Sequence, residues 1–204
     1  RAVVLTGTGR AFSAGVDLQR LLEGGEAYAR ALLASMDRAF MTLFGLGKPV
    51  VAALNGHAIA GGCILACAAD RRFGATGSWR MGLSELDVGV PFPSAPLAVA
   101  SAAVGDAAVR HLVMSTALVD PEAAVGLGLV DTLVDPKDLM PAALAEARRM
   151  AGFEAAAFSA TKAQLRRPWV ERVVAAGEAD REVADLWAGD AVRAAVRRFV
   201  ERSL

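Results

Sequence analysis

Asn55-Gly56-His57-Ala58-Ile59-Ala60-Gly61-Gly62-Cys63-Ile64-Leu65-Ala66-Cys67-Ala68-Ala69-Asp70 follows a β-branched run, Pro49-Val50-Val51-Ala52-Ala53-Leu54. The order is a strand, a glycine-bearing turn and an apolar segment of helical character. Such a helix start leaves backbone N–H groups without intrahelical acceptors, which makes it a ready site for a developing negative charge. Working outward from this stretch means asking what anion would form there and which residue would make it.

Upstream, Ala2-Val3-Val4-Leu5-Thr6 reads as a strand that begins abruptly, as though a preceding piece were missing. The glycine-rich exit, Thr6 to Leu18, is not a dinucleotide fingerprint, because the third glycine of G-x-G-x-x-G would fall on Phe12. Apolar residues three and four apart predict an amphipathic helix over 26–44, ended by Gly45 and Gly47. Downstream, Arg72-Phe73-Gly74 leads through a turn to 80–93, where Pro and Gly recur too often for a helix and the reading is extended and loop-like. Helices are expected at 94–104, 106–117 and after Asp120-Pro121, then a strand at 129–134. From Asp138 onward the pattern is helical: 138–151, 154–166, 169–188 and 190–202, with Pro168 and Gly189-Asp190 as breaks. An α/β core over 1–137 followed by a helical C-terminal region over 138–204 is the expected organisation.

The bulk properties narrow the function. Hydrophobic residues make up 54% of the 204, enough for a sizeable core. Lys+Arg and Asp+Glu balance at 22 each, which removes the electrostatic case for nucleic acid or an anionic membrane surface. No run approaches the roughly 18–20 apolar residues of a membrane span. Cys63 and Cys67 lie one helical turn apart, poorly placed for a disulfide and short of ligands for a metal. They read as small core thiols, so no metal site is expected and a cytoplasmic location is.

Three segments together resemble the crotonase superfamily, the enoyl-CoA hydratase/isomerase group: Phe12-Ser13-Ala14-Gly15-Val16-Asp17-Leu18, Asn55 through Asp70, and Gly82-Leu83-Ser84-Glu85 with Val88-Gly89. The resemblance covers nearly the whole chain and implies the ClpP/crotonase-like fold. That fold is an α/β spiral core of ββα units with a helical C-terminal trimerisation region, and the family's N-terminal strand and helix would precede Arg1. It further implies an acyl-CoA thioester substrate, with CoA arriving as part of the substrate and no separate cofactor, in a homotrimer or hexamer. By resemblance, the backbone N–H groups of Val16 and Gly61 form an oxyanion hole for an enolate. Ala14, Val16, Asp17, Leu18, Gly61, Ile64 and Phe92 would bind substrate, with Met81 and Val90 as further pocket wall.

The family's hydratases use two glutamates to activate water. Counting from Gly61, the first falls on Ile64, which transfers no proton; the second falls on Glu85, one insertion further on than in the hydratase pattern. The motifs resemble more nearly the Δ3,Δ2-enoyl-CoA isomerases, in which one glutamate moves a proton between carbons. A catalytic set of Glu85, Val16 and Gly61 is therefore expected to shift a double bond. A hydratase, another crotonase-type lyase or a thioester hydrolase is the alternative. A non-catalytic acyl-CoA-binding or assembly subunit is the reading from another class.

Weaker candidates remain open at this stage. Asp17 would hold the CoA-binding loop or cap the next helix. In an extended segment, Asp87 would share the side of Glu85, yet an exposed or turn role suits it better. His57 reads as structural, and His111 lies in a helix with no polar cluster nearby. Lys162 and Arg166-Arg167 would reach CoA phosphates or face solvent on a helix. Trp169, Trp187 and Phe199 read as core or subunit packing rather than ligand contacts.

Overall fold

A computed structural model describes residues 1–203, with Ser203 described in its backbone only. Seven strands, all paired in parallel, form two layers. β1 (Val3–Thr6), β3 (Val50–Leu54), β5 (Arg71–Ala75) and β7 (Thr132–Val134) make one sheet in that order. β2 (Ala11–Ser13), β4 (His57–Ile59) and β6 (Met81–Gly82) make the second. Each turn of the chain contributes one strand to each sheet and then a helix, which is the ββα spiral the sequence motifs imply.

The helices follow from caps and apolar spacing. α1 (Leu18–Phe44) starts eight residues before the expected position, because the Asp17 side chain caps it by accepting from the Arg20 N–H at 3.0 Å. A kink at Gly25, with φ 66°, separates that first stretch from the periodic one. α2 (Gly61–Cys67) leads to β5, a strand not expected over Arg71–Ala75, ahead of the turn through Gly77. Beyond the one-turn α3 (Glu85–Val88) come α4 (Ser94–Val104), α5 (Asp106–Ser115) and α6 (Pro121–Gly126). α7 (Leu139–Met150), α8 (Ala155–Ala175), α9 (Gly177–Ala188) and α10 (Asp190–Ser203) complete the described chain. Pro168 lies inside α8 rather than breaking it. Trp169 and Val170 pack against the main core just beyond it, and Arg166 is anchored just before it, so packing on both sides outweighs the lost helical hydrogen bond. Leu129 and Val130 are core residues outside the strand that was expected to begin with them.

The core has three parts. The largest joins Val50, Ala52 and Leu54 of β3 to α2, Phe40 and Phe44 of α1, and α4. A second gathers Leu21 and Leu33 of α1 with Val88, Val90, Trp187 and Val196. In the third, α7 covers the other face of the first sheet. The C-terminal helices therefore share their cores with the first half of the chain.

Lys162 and Arg166 neither point to solvent nor stand free for a phosphate. Asp70, at the end of the opening stretch, receives Lys162 Nζ at 2.7 Å on one carboxylate oxygen and Arg166 Nη2 at 2.8 Å on the other. It also accepts the Val50 N–H at 2.8 Å. Lys162 donates further to the Lys48 carbonyl, and Arg166 to those of Phe44 and Ala68. Burial draws the affinity of both cations for their protons downward, with Asp70 opposing it. This buried clamp fastens α8 to the mouth of β3; Arg167 is exposed.

Candidate active site

Parallel strands all end on the same edge of their sheet, and loops leaving that edge converge. In the second sheet Ser13 pairs with Ala58, and Ile59 with Gly82. The three loops leaving these residues carry Val16, Gly61 and Glu85. Here lies the physical reason that three segments distant in sequence meet.

At the opposite edge, where the chain enters β2 and β4, Asn55 ties the β3–β4 connection to the β1–β2 connection and so fixes the two strands side by side. Its side-chain oxygen accepts the Gly7 N–H at 2.9 Å, and its amide nitrogen donates to the carbonyls of Gly9 at 3.0 Å and Ala11 at 3.3 Å. Close packing then falls on Gly62 rather than Gly61. A Cβ on Gly62 would stand 2.1 Å from the Ser13 carbonyl oxygen, whereas one on Gly61 would meet Phe40 and Gly15 at ordinary contact distances of 3.6 and 3.7 Å. The Gly15–Val16 loop thus lies directly beside Gly61. The turn between β4 and α2 passes through Ala60 at φ 53° and ψ −125°, an uncommon conformation for a residue with a Cβ. The amides of Val16 and Gly61 donate to no other backbone group among the described residues. α2 has only seven residues, so the direction of the amide matters here more than a helix dipole.

The third loop is not extended as expected but closes into α3. Its end is a left-handed Gly89, φ 89°, and the N–H groups of Gly89 and Val90 both donate to the Glu85 carbonyl at 3.0 Å. Gly89 is doubly required, because a Cβ there would also approach Ala195 Cβ of α10 to 2.6 Å. Helical geometry turns successive residues by about 100°, so Asp87 does not share the side of Glu85 as an extended segment would have it. Asp87 is exposed.

These loops enclose a cavity of about 120 Å³ lined by Ala14, Val16, Leu18, Gly61, Ile64, Glu85 and Phe92, as expected, together with Val90. Met36, Phe40, Trp187 and Phe199 complete its apolar wall. Asp17 lies outside it as the α1 cap, and Met81 is wholly buried in the core behind it. His57 accepts the Arg80 N–H on Nδ1 at 3.1 Å, a structural role, and His111 is exposed on α5. Among the described residues, Glu85 is the one ionisable residue lining the cavity. Its Oε2 is buried with no hydrogen-bond partner, and desolvation raises its pKa from 4.5 to about 7. Ile64, where a second acid would stand, is fully buried. Cys63 and Cys67 are buried free thiols within hydrogen-bonding reach of each other, and burial and Cys67 push the Cys63 thiol up.

Sequence reasoning missed part of the cavity wall, namely Met36 and Phe40 of α1 and two aromatics of the C-terminal helices. The placement of Trp187 and Phe199 on the cavity required the path of the last two helices.

A parallel ββα spiral that brings two free amides and a desolvated carboxyl to one apolar cavity has the architecture of the crotonase fold. The enoyl-CoA hydratase/isomerase family model matches residues 1–204, and the chain belongs to that family. A putative enoyl-CoA hydratase of Thermus thermophilus is 40% identical over 157 residues, covering 74% of this chain and 60% of that protein. Probable enoyl-CoA hydratase EchA17 of Mycobacterium tuberculosis is 32% identical over 202 residues, covering 98% and 70%. The crystal structure of human mitochondrial Δ3,Δ2-enoyl-CoA isomerase superposes with a TM-score of 0.91 at 25% identity, covering 99% of this chain and 80% of that one. The chain thus spans about 60% of the length of the first of these curated relatives.

Proposed function

We propose that this chain is an isomerase of 3-enoyl-CoA thioesters, forming the 2-enoyl isomer by proton transfer through Glu85. The observation that carries this reading is the buried Glu85 carboxyl, its Oε2 without a hydrogen-bond partner among apolar walls and close to the loops bearing the two free amides. With the thioester oxygen on the Val16 and Gly61 N–H groups, Glu85 takes a proton from the α-carbon. The C–H electron pair becomes the new α–β double bond, passing through an enolate whose charge the amides hold. The former β–γ pair then takes the proton from Glu85 at the γ-carbon, and the carboxylate is regenerated. Fixed donors of this kind are typically worth about 3–4 kcal/mol each. Water takes no part, in keeping with Ile64 in the place of an acid.

The relatives named as hydratases favour a second reading, addition of water to a 2-enoyl-CoA with one acid. Incubation with 3-enoyl-CoA and, separately, with 2-enoyl-CoA distinguishes the two. The isomerase reading expects the conjugated thioester from the first and no 3-hydroxyacyl-CoA from the second. Hydration as the faster reaction would reverse the assignment. In either reading CoA arrives with the substrate, and a reducing cytoplasm suits the two free thiols. A trimer or hexamer would use exposed apolar residues such as Met114, Leu165 and Val174.

A pH dependence follows from the raised pKa. The base must be ionised to accept the α-proton, so kcat/KM should rise with pH through about 7 and level off above it. A profile already flat from pH 5 would show that Glu85 is not the base.

A further inference from the structure

The cavity crosses from one core into another. At its reaction end, beside Gly61, the wall residues Phe40 and Ile64 belong to the main core, whereas Val88, Val90 and Trp187 belong to the second. A chain extending from a thioester at Gly61 therefore runs toward α9. There the indole of Trp187, 5% exposed, donates from Nε1 to the Pro91 carbonyl at 2.8 Å. That bond joins it to the segment carrying Phe92 on the cavity wall. α9 itself is held on two sides. Asp185 pairs with Arg30 of α1 at 2.8 Å, and Asp180 accepts both the N–H, at 2.8 Å, and the hydroxyl of Ser94 at the start of α4. The indole is thus a fixed wall rather than a side chain free to swing aside. The enclosed volume, about 120 Å³, is below the roughly 300–1,000 Å³ usual for small-molecule sites.

We infer that Trp187 is the end wall of the acyl site and sets a preference for short, unbranched acyl chains. This inference rests on the acyl-CoA reading above and adds to it the residue that selects the substrate. In an apolar pocket one methylene changes kcat/KM by roughly 10–200-fold, so a rigid indole suffices for steep selection.

The test compares 3-hexenoyl-CoA with 3-dodecenoyl-CoA for the unaltered protein, Trp187→Ala and Trp187→Leu, beside calorimetric binding of hexanoyl-CoA and dodecanoyl-CoA. The unaltered protein should favour the six-carbon chain at least tenfold in both measurements. Each variant should lower that ratio at least tenfold, mainly by improving the long chain. Trp187→Leu retains apolar bulk and serves if Trp187→Ala does not fold, and Trp187→Phe, which keeps a ring, should retain most of the selection. Equal use of both chains by the unaltered protein, or a ratio unmoved in folded variants, overturns the inference while leaving the isomerase reading intact. No turnover by any of the proteins, with binding ratios that still shift at Trp187, overturns the isomerase reading and upholds the wall.

Discussion

Glu85→Gln is expected to lower kcat for isomerisation of a 3-enoyl-CoA by at least about 10²–10⁴-fold, the usual contribution of a positioned general acid–base. The amide keeps the shape of the carboxyl but cannot carry the proton from the α- to the γ-carbon. Substrate binding should change little, since the proposed mechanism places the thioester oxygen on the Val16 and Gly61 amides, so KM should stay near its original value. Stability provides a second reading of the same variant. A carboxyl whose folded pKa is raised from 4.5 to about 7 binds protons more tightly folded than unfolded. Its destabilising effect is absent below pH 4.5 and grows as pH rises through 7. At about 1.4 kcal/mol per pKa unit, Glu85→Gln should be more stable than the parent at pH 8 by about 3 kcal/mol, and no more stable at pH 4. Loss of turnover with a gain in alkaline stability is the signature of a functional buried acid. Isomerisation at the parental rate would remove Glu85 from the mechanism.

Asp70→Ala should produce the largest loss of stability. It leaves the Lys162 and Arg166 side chains, 6% and 12% exposed, without their shared counter-ion, and it deprives the Val50 N–H of an acceptor. Removing one partner of a buried pair typically costs about 3–5 kcal/mol, because the desolvated charge that remains has no compensation. In a chain of this size that is a fall in Tm on the order of 10 °C. Asp106→Ala is the control, since its partner Arg172 and Asp106 itself are 54% and 65% exposed. Solvent already screens that pair, so melting should hardly move. Equal melting temperatures for the two variants would show that the clamp contributes nothing.

These two residues also mark what the sequence could and could not disclose. β1 and β3 are β-branched runs and read directly, and the three motifs gave the order of the spiral. Glu85, Gly61 and Val16 were legible as candidates because each stands at a fixed place in its motif, and the fold brings the three to one cavity. β4 and β6 were missed because strands of three and two residues carry no periodicity. α3 was hidden by Gly and Pro around a single helical turn. The charges of Lys162 and Arg166 were read by their type, as a solvated face or a phosphate contact. Their burial follows from Asp70, some ninety residues away, which no local pattern reports. Trp187 and Phe199 were assigned to packing for the same reason; packing they are, but around a cavity.

The parallel pairing has a consequence for how the molecule assembles. Thr6 and Ala53, hydrogen-bonded across the first two strands of the large sheet, are 47 residues apart, and every later pairing in that sheet also closes a loop. Such long closures fold slowly, because the chain loses entropy before it gains contacts. The two amides and Glu85 come before Trp187 and Phe199 along the chain. A chain emerging from the ribosome would therefore hold its reactive groups well before α9 and α10 can enclose them, and Glu85 would meet water until they do. Closure of the cavity thus waits on α9 and α10.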